Sequence, residues 1–296
     1  MQKQIEKAEM LVEALPYIKK FAGKTVVVKY GGNAMINDEI KDQVMKDIVL
    51  MKYVGVNPVI VHGGGPAINS MLAKIGKEAE FKMGNRVTDE ETMEIVEMVL
   101  SGKVNKGIVA GINQHGGKAI GLSGKDGNLI LARKKYLMDG KEKVDIGFVG
   151  EVKKINASII EDLQKDGFIP VISTVGVDED GNTYNINADY VAGAIAGALN
   201  ADKFLFMTDV PGLLRDINDP SSKISVLKYN EAKDLIEDGT ISGGMLPKID
   251  ACMTALDAGA ENVHIIDGRV KHTILLELFT DSGIGTMIVK DYRIVR

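Results

Sequence analysis

Apolar residues recur along the first part of the chain at Ile5, Ala8, Leu11, Val12, Leu15 and Ile18, with charged residues between them. Spacing of three and four predicts one amphipathic helix over residues 4–21. The pattern then changes. Thr25-Val26-Val27-Val28-Lys29-Tyr30 is a nearly continuous apolar run that stops at Gly31-Gly32, as expected of a strand covered on both faces. Asn37 can cap a helix with inner face Ile40, Val44, Ile48 and Met51, ended by Gly55. Val59-Ile60-Val61 follows Pro58 as a second strand and runs into His62-Gly63-Gly64-Gly65. Pro66 then stands where a helix begins, a place where its missing N–H costs nothing.

The alternation continues to the end. Thr88 and Glu91 have capping-box spacing ahead of Met93, Val96 and Leu100. Ala119–Leu122 is strand-like, and residues 125–152 are charged and glycine-spaced, as in hairpins or an excursion from the main sheet. A helix near 157–166 precedes the strand 168–173, and Asn187 caps a helix through Leu199. A strand at 204–207, helices near 230–237 and 245–258, a strand at 263–266, a helix near 271–279 and a strand at 286–290 follow. Strands alternating with helices predict an α/β fold: an αβα sandwich around a mainly parallel sheet, in two lobes. Ligands in such folds lie beyond the carboxyl ends of the strands, where the glycine-rich segments fall. There is no repeat and no long linker. The expected division is an N-terminal helix (1–23), one lobe over 24–200 and a second over 201–296.

Composition narrows the class without deciding it. Apolar residues are 45% of the chain and charged ones 26%, and the net charge of −5 gives no sign of a nucleic acid or anionic membrane partner. Cys252 is the single cysteine, so an intramolecular disulfide is excluded, and the four histidines show no metal-binding spacing. The amino terminus lacks a secretory apolar core, and the run Val191–Leu199 is far below the roughly 20 residues a spanning helix needs. Cytoplasmic location is the expectation.

The familiar glycine motifs fail one by one. Gly23-Lys24-Thr25 lacks the first glycine of a P-loop, having Ile18 there, and precedes a strand instead of following one. After Val61, Ile68 occupies the last glycine position of a dinucleotide fingerprint. His62-Gly63-Gly64-Gly65 resembles an esterase oxyanion loop, but the chain has no G-x-S-x-G elbow. Three consecutive glycines at a strand-to-helix turn still present bare N–H groups to an anion.

Six segments in order are similar to the amino-acid kinase family: residues 28–35, 61–66, 84–89, 185–189, 208–212 and 243–248. Within it the resemblance points to members that phosphorylate N-acetyl-L-glutamate with ATP, the second step of arginine biosynthesis. It implies that Lys29 and Lys248 stabilise the transferring phosphoryl group and that Asp189 holds both lysines. It implies that Gly64, Gly65, Arg86 and Asn185 bind the substrate, Arg86 as a clamp for its α-carboxylate. Gly31, Gly32, Asp209, Gly212 and Gly244 are the expected ATP contacts, with Mg²⁺ held by phosphate oxygens and water. These residue types suit phosphoryl transfer between two anions, which needs cations and oriented N–H groups more than covalent chemistry. His62 reads as structural. Carbamate kinase, aspartokinase, glutamate 5-kinase and uridylate kinase share the fold. A silent arginine or nucleotide sensor is the alternative from another class.

The helix 4–21 carries one further implication. Arginine-sensitive members of the family use such a helix to join dimers into a homohexamer, a trimer of dimers, inhibited by L-arginine. The effector is then expected near Tyr17, Glu277 and Gly283, with main-chain groups of residues 282–285 around it.

Overall fold

The computed structural model describes residues 1–290 except Ile217 and Ser282. Its centre is an eight-stranded sheet in the order Val226–Lys228, Thr286–Val289, Asn262–Asp267, Lys203–Thr208, Thr25–Tyr30, Asn57–His62, Ile169–Ser173, Ala119–Leu122. All neighbours are parallel except Thr286–Val289, which runs antiparallel to Asn262–Asp267. Four strands from the last third of the chain are therefore consecutive, followed by four from residues 25–173. The strand Thr25–Tyr30 lies at the junction, between Lys203–Thr208 on one side and Asn57–His62 on the other. Crossovers leave it in opposite directions, so a crevice opens beyond Tyr30.

Alternation along these strands feeds two cores. Val27, Val59, Val61, Ile172, Phe204 and Phe206 enter one apolar cluster. Val26, Val28, Tyr30, Ile60, Val171, Leu205 and Met207 enter the other, on the opposite face. The second core is covered by Asp38–Tyr53, which Asn37 caps by accepting from the Glu39 and Ile40 N–H groups. The first is covered by Ala188–Ala198 and Leu246–Ala258, which pack closely along glycines. A β-carbon at Gly197 would lie 2.2 Å from that of Ala258, and one at Gly193 3.2 Å from that of Ala255. The residue pairing is parallel, so both helices begin at the same end, above the crevice.

Several elements differ from the sequence expectations. The amino-terminal helix is two, Gln2–Glu13 and Leu15–Phe21, because Pro16 has no N–H for the turn that would join them. Asp89, not Thr88, caps Glu90–Glu97 by accepting from the Thr92 N–H. That helix continues through a π-helical stretch, Met98–Val104, into a further helix, Asn105–Gln114, which the pattern did not predict. Gly65 opens the helix Gly65–Lys74, with Pro66 second. The excursion is a long hairpin, Ile130–Asp139 with Glu142–Ile155, and it closes a small barrel with Val175–Val177 and Thr183–Ile186. Among the described residues no helix is long and apolar enough to cross a membrane.

Candidate active site

The crevice is built from the ends of the central strands. Lys29 leaves its strand with Nζ 3.0 Å from Asp189 Oδ1 and 5.0 Å from the centre of the Phe206 ring, both charged groups mostly buried. Gly31 makes room for it, since a β-carbon there would lie 2.8 Å from Lys29 Nζ. Asp189 stands in the first turn of Ala188–Ala198, and Asn187 Oδ1 caps its N–H at 2.8 Å. Lys248 stands in the first turn of the neighbouring helix, where a cation opposes the helix dipole. Its Nζ donates to Gly244 O at 3.3 Å. Of the two lysines, the one Asp189 forms its ion pair with is Lys29. All three charges still share one neighbourhood. Burial pushes the Cys252 thiol up, Asp189 adds to that rise, and Lys29 and Lys248 both oppose it.

Gly32 adopts φ +66°, and a β-carbon there would fall 2.6 Å from Asp209 Oδ1, which places Asp209 beside the turn after Lys29. Gly212, at φ +126°, packs against Thr286 Oγ1. Gly244 faces open space. Asp209, Gly212, Gly244 and Lys248 all belong to the last third of the chain.

On the other side lies a pocket of about 240 Å³ lined by Gly63, Gly64, Gly65, Arg86, Asn185 and Asn187, among others. A β-carbon at Gly64 would lie 2.5 Å from Leu100 Cδ2, so a side chain there would force the buried Leu100 to shift. The loop is anchored from below by His62, which is fully buried. Burial lowers its pKa to about 4, so the ring is neutral; Nδ1–H donates to Gly63 O at 2.8 Å and Nε2 accepts from Asn105 Nδ2 at 3.1 Å. The Asn105 amide also donates to Val171 O at 2.9 Å. The structural reading of His62 therefore stands.

Arg86 is the pocket's cation. It is buried, stacks on Phe81 with the guanidinium carbon 4.7 Å from the ring centre, and donates from Nη2 to Asn69 Oδ1 at 2.5 Å. Nη1 is buried and has no protein partner. Among the described residues no carboxylate pairs with Arg86. A buried guanidinium with an unpartnered Nη1 favours an anion that can accept from it. Asn185 lines the same pocket and donates from Nδ2 to Thr88 Oγ1 at 3.3 Å. Asn69, Phe81 and Asn105 escaped the sequence reading, and Thr88 entered it as a helix cap and as part of the segment 84–89. Asn69 was detectable only as one turn beyond Gly65 on the helix that opens the glycine loop.

The profile of the amino acid kinase family matches residues 24–267. The chain belongs to the amino acid kinase family. Two relatives in it, both called acetylglutamate kinase, align over almost their whole length. That of Heliobacterium modesticaldum is 58% identical over 98% of this chain and 100% of its own. That of Caldicellulosiruptor saccharolyticus is 59% identical over 97% and 98%. Among solved structures, N-acetylglutamate synthase from Neisseria gonorrhoeae, complexed with coenzyme A and N-acetyl-glutamate, superposes with a TM-score of 0.82 at 25% identity. The match covers 96% of this chain and 63% of that longer protein. Family membership fits a crevice at the carboxyl ends of the central strands, with the Lys29–Asp189 pair at its centre and the Arg86 pocket on one side.

The expected effector residues cluster elsewhere. Glu277 is buried; Oε1 accepts from His264 Nδ1 at 2.5 Å, and Oε2 accepts from the N–H groups of Ile284 and Gly285 at 2.7 and 2.9 Å. Burial pushes its pKa up, but the His264 hydrogen bond and the two N–H groups outweigh it and hold the carboxylate ionised. His264 Nε2 in turn lies 2.7 Å from Lys203 Nζ, whose pKa burial lowers to about 8. Gly283 has φ +56° and packs on Glu277. Tyr17 Oη donates to Asp281, and Phe21 stacks edge-on against Phe279 at 6.2 Å, so the second amino-terminal helix touches this region. Ser282 lies outside the described residues.

Proposed function

We propose that this chain transfers the γ-phosphoryl group of ATP to the side-chain carboxylate of N-acetyl-L-glutamate, the second step of arginine biosynthesis. The observation that carries the reading is the near-full-length identity to acetylglutamate kinases, 58% over 295 residues. The buried, anion-seeking Nη1 of Arg86 in a pocket floored by three glycines supports it from the site itself.

In this reading Arg86 clamps the substrate's α-carboxylate, Asn185 holds the acetamido end, and the N–H groups of Gly64 and Gly65 face the reacting carboxylate. ATP occupies the opposite side, against Gly31, Gly32, Asp209, Gly212 and Gly244. Lys29 and Lys248 then flank the transferring phosphoryl group, where fixed cations oppose the charge that builds up between two anions. Asp189 aims Lys29 through their 3.0 Å pair. Among the described residues no cluster of three or more His, Cys, Asp or Glu is placed to hold a metal. As in other nucleotide sites, phosphate oxygens and water are the main ligands expected for Mg²⁺. The two lobes of the reading, 24–200 and 201–296, correspond to the substrate side and the nucleotide side. Hydroxamate trapping of the acyl phosphate, across N-acetylglutamate, glutamate, aspartate, carbamate and UMP with ATP consumption in parallel, tests it. Product with N-acetylglutamate and little with free glutamate is the expected outcome; consumption with UMP or carbamate alone refutes it.

We further propose a cytoplasmic homohexamer inhibited by L-arginine. Leu11 and Leu15 are 73% and 59% exposed on the amino-terminal helices, an apolar edge that suits burial between subunits. The Lys203–His264–Glu277 chain beside Phe21 offers the effector a buried acidic end. Both Glu277 oxygens are engaged within the subunit, so arginine has to share or displace the His264 bond.

A further inference from the structure

The segment Gly84–Asp89 supplied Arg86 to the site and a capping signal at Thr88, and the structure uses Thr88 for neither cap nor surface. Its side chain is fully buried. Its main chain is locked to the barrel: Thr88 N donates to Ile146 O at 3.0 Å, and Phe148 N donates to Thr88 O at 2.6 Å. Gly147, at φ +79°, makes that approach possible, since a β-carbon there would lie 2.1 Å from Thr88 O.

The hydroxyl has two partners, and together they fix its proton. Thr88 Oγ1 donates its one hydrogen to Arg86 O at 2.9 Å. Toward Asn185, 3.3 Å away, it can only accept. That requirement orients the Asn185 amide with Nδ2 toward Thr88, which leaves Oδ1 as the end available to the pocket. An amide oxygen there accepts from a substrate N–H, whereas the flipped amide would present two donors to it.

We propose that Thr88 is a positioning residue for substrate binding: its buried hydroxyl sets the orientation of the Asn185 amide and ties it to the Arg86 main chain. It touches no substrate and acts through these two residues. The proposal rests on the functional reading above and adds to it the origin of its preference for an acylated amino group.

The test is a kinetic cycle on the full chain with N-acetyl-L-glutamate and MgATP. Thr88→Val removes the hydroxyl at constant shape, and Thr88→Ser keeps it. Loss of one buried hydrogen-bonded group corresponds to a KM for N-acetyl-L-glutamate raised about tenfold in Thr88→Val. KM for ATP and kcat should stay within about twofold, and Thr88→Ser should restore the wild-type KM. In an Asn185→Ala background, Thr88→Val should add less than about twofold, because the hydroxyl then has no amide to orient. If valine does not fold, Thr88→Ala removes the hydroxyl without adding bulk and is read in the same way. A Thr88→Val enzyme with unchanged KM overturns the proposal, as does the same tenfold cost with and without Asn185. A wild-type chain that neither binds nor phosphorylates N-acetyl-L-glutamate sinks the functional reading and this inference together; an active wild type with an indifferent Thr88 sinks the inference alone.

Discussion

Replacing Arg86 by alanine separates what this residue does for the fold from what it does for the ligand. In the ligand-free protein Arg86 gains a hydrogen bond to Asn69 and a stacking contact with Phe81. Each is worth roughly 1 kcal/mol. Against them stands Nη1, buried without a partner, at a cost on the order of 1–3 kcal/mol. The terms nearly cancel, so Arg86→Ala should leave the unfolding free energy of the ligand-free chain within about 1 kcal/mol of wild type. Binding behaves differently. A carboxylate that takes up the free Nη1 and shares the fork gains charge-assisted bonds of about 1.5–3 kcal/mol each. Their loss corresponds to a KM for N-acetyl-L-glutamate about 10²–10³-fold higher. The assay is initial rate against N-acetyl-L-glutamate at saturating ATP, combined with urea unfolding with and without that substrate. A ligand at about a hundred times its Kd stabilises wild type by roughly 2.7 kcal/mol, and the variant at the same concentration should gain almost nothing. A variant destabilised by about 3 kcal/mol or more, with KM unchanged, would show that Arg86 is a structural cation and that the pocket binds its anion some other way.

Lys29→Ala and Lys248→Ala should each lower kcat by on the order of 10²-fold or more while KM for N-acetyl-L-glutamate moves little; near-normal turnover in either variant would misplace the transfer site. Stability against pH tests two buried groups of opposite sign. Burial lowers His62 from 6.5 to about 4, so the unfolded chain binds the extra proton and stability falls as pH drops through that window. Burial raises Asp47 from 3.8 to about 6, against the opposing pull of His272, so the folded chain binds the extra proton and stability falls as pH rises through that window. The two slopes cancel between pH 4 and 6, and Asp47→Asn should unmask the first, adding up to about 1.4 kcal/mol per pH unit of acid sensitivity; parallel curves for variant and wild type would refute it. A chain beginning at Lys24 should scatter light as a dimer and lose arginine inhibition, while the intact chain scatters as a hexamer; identical masses would remove the assembly role of the amino-terminal helices.

The central strands were legible because a parallel sheet covered on both faces demands apolar side chains at every position, and Val26–Val28, Val59–Val61 and Phe204–Met207 are such runs. The helix Asn105–Gln114 was not, because Gly107, Gly111 and Asn113 argue against a helix on propensity alone. The fold overrides propensity there: Ile108 and Ile112 are buried, and a β-carbon at Gly111 would press on Met45 Cγ at 3.1 Å, so a glycine admits the neighbouring helix. Pro16 was visible all along, but an unbroken apolar stripe hid its effect. The short barrel strands Val175–Val177 and Thr183–Ile186 are too brief for any period to register, although they carry Asn185 into the pocket.

The site divides along the same line. Lys29, Asp189 and Arg86 could be read only by resemblance, because their meeting depends on long-range topology and no local pattern records it. Thr88 is the instructive failure. Its spacing to Glu91 satisfies the capping rule, and Asp89 beside it satisfies a cap as well; the Asp89 carboxylate accepts from Thr92 N and pairs with Lys77. Two adjacent residues can compete for one cap, and the anion is the stronger acceptor at the positive end of a helix dipole. With Asp89 in that place, the Thr88 hydroxyl is released to the interior, where a polar group survives only if both its donor and its acceptor capacities are met. Arg86 O and Asn185 Nδ2 meet them. The local capping rule thus fails at a position between two residues of the pocket, where long-range partners override the local one.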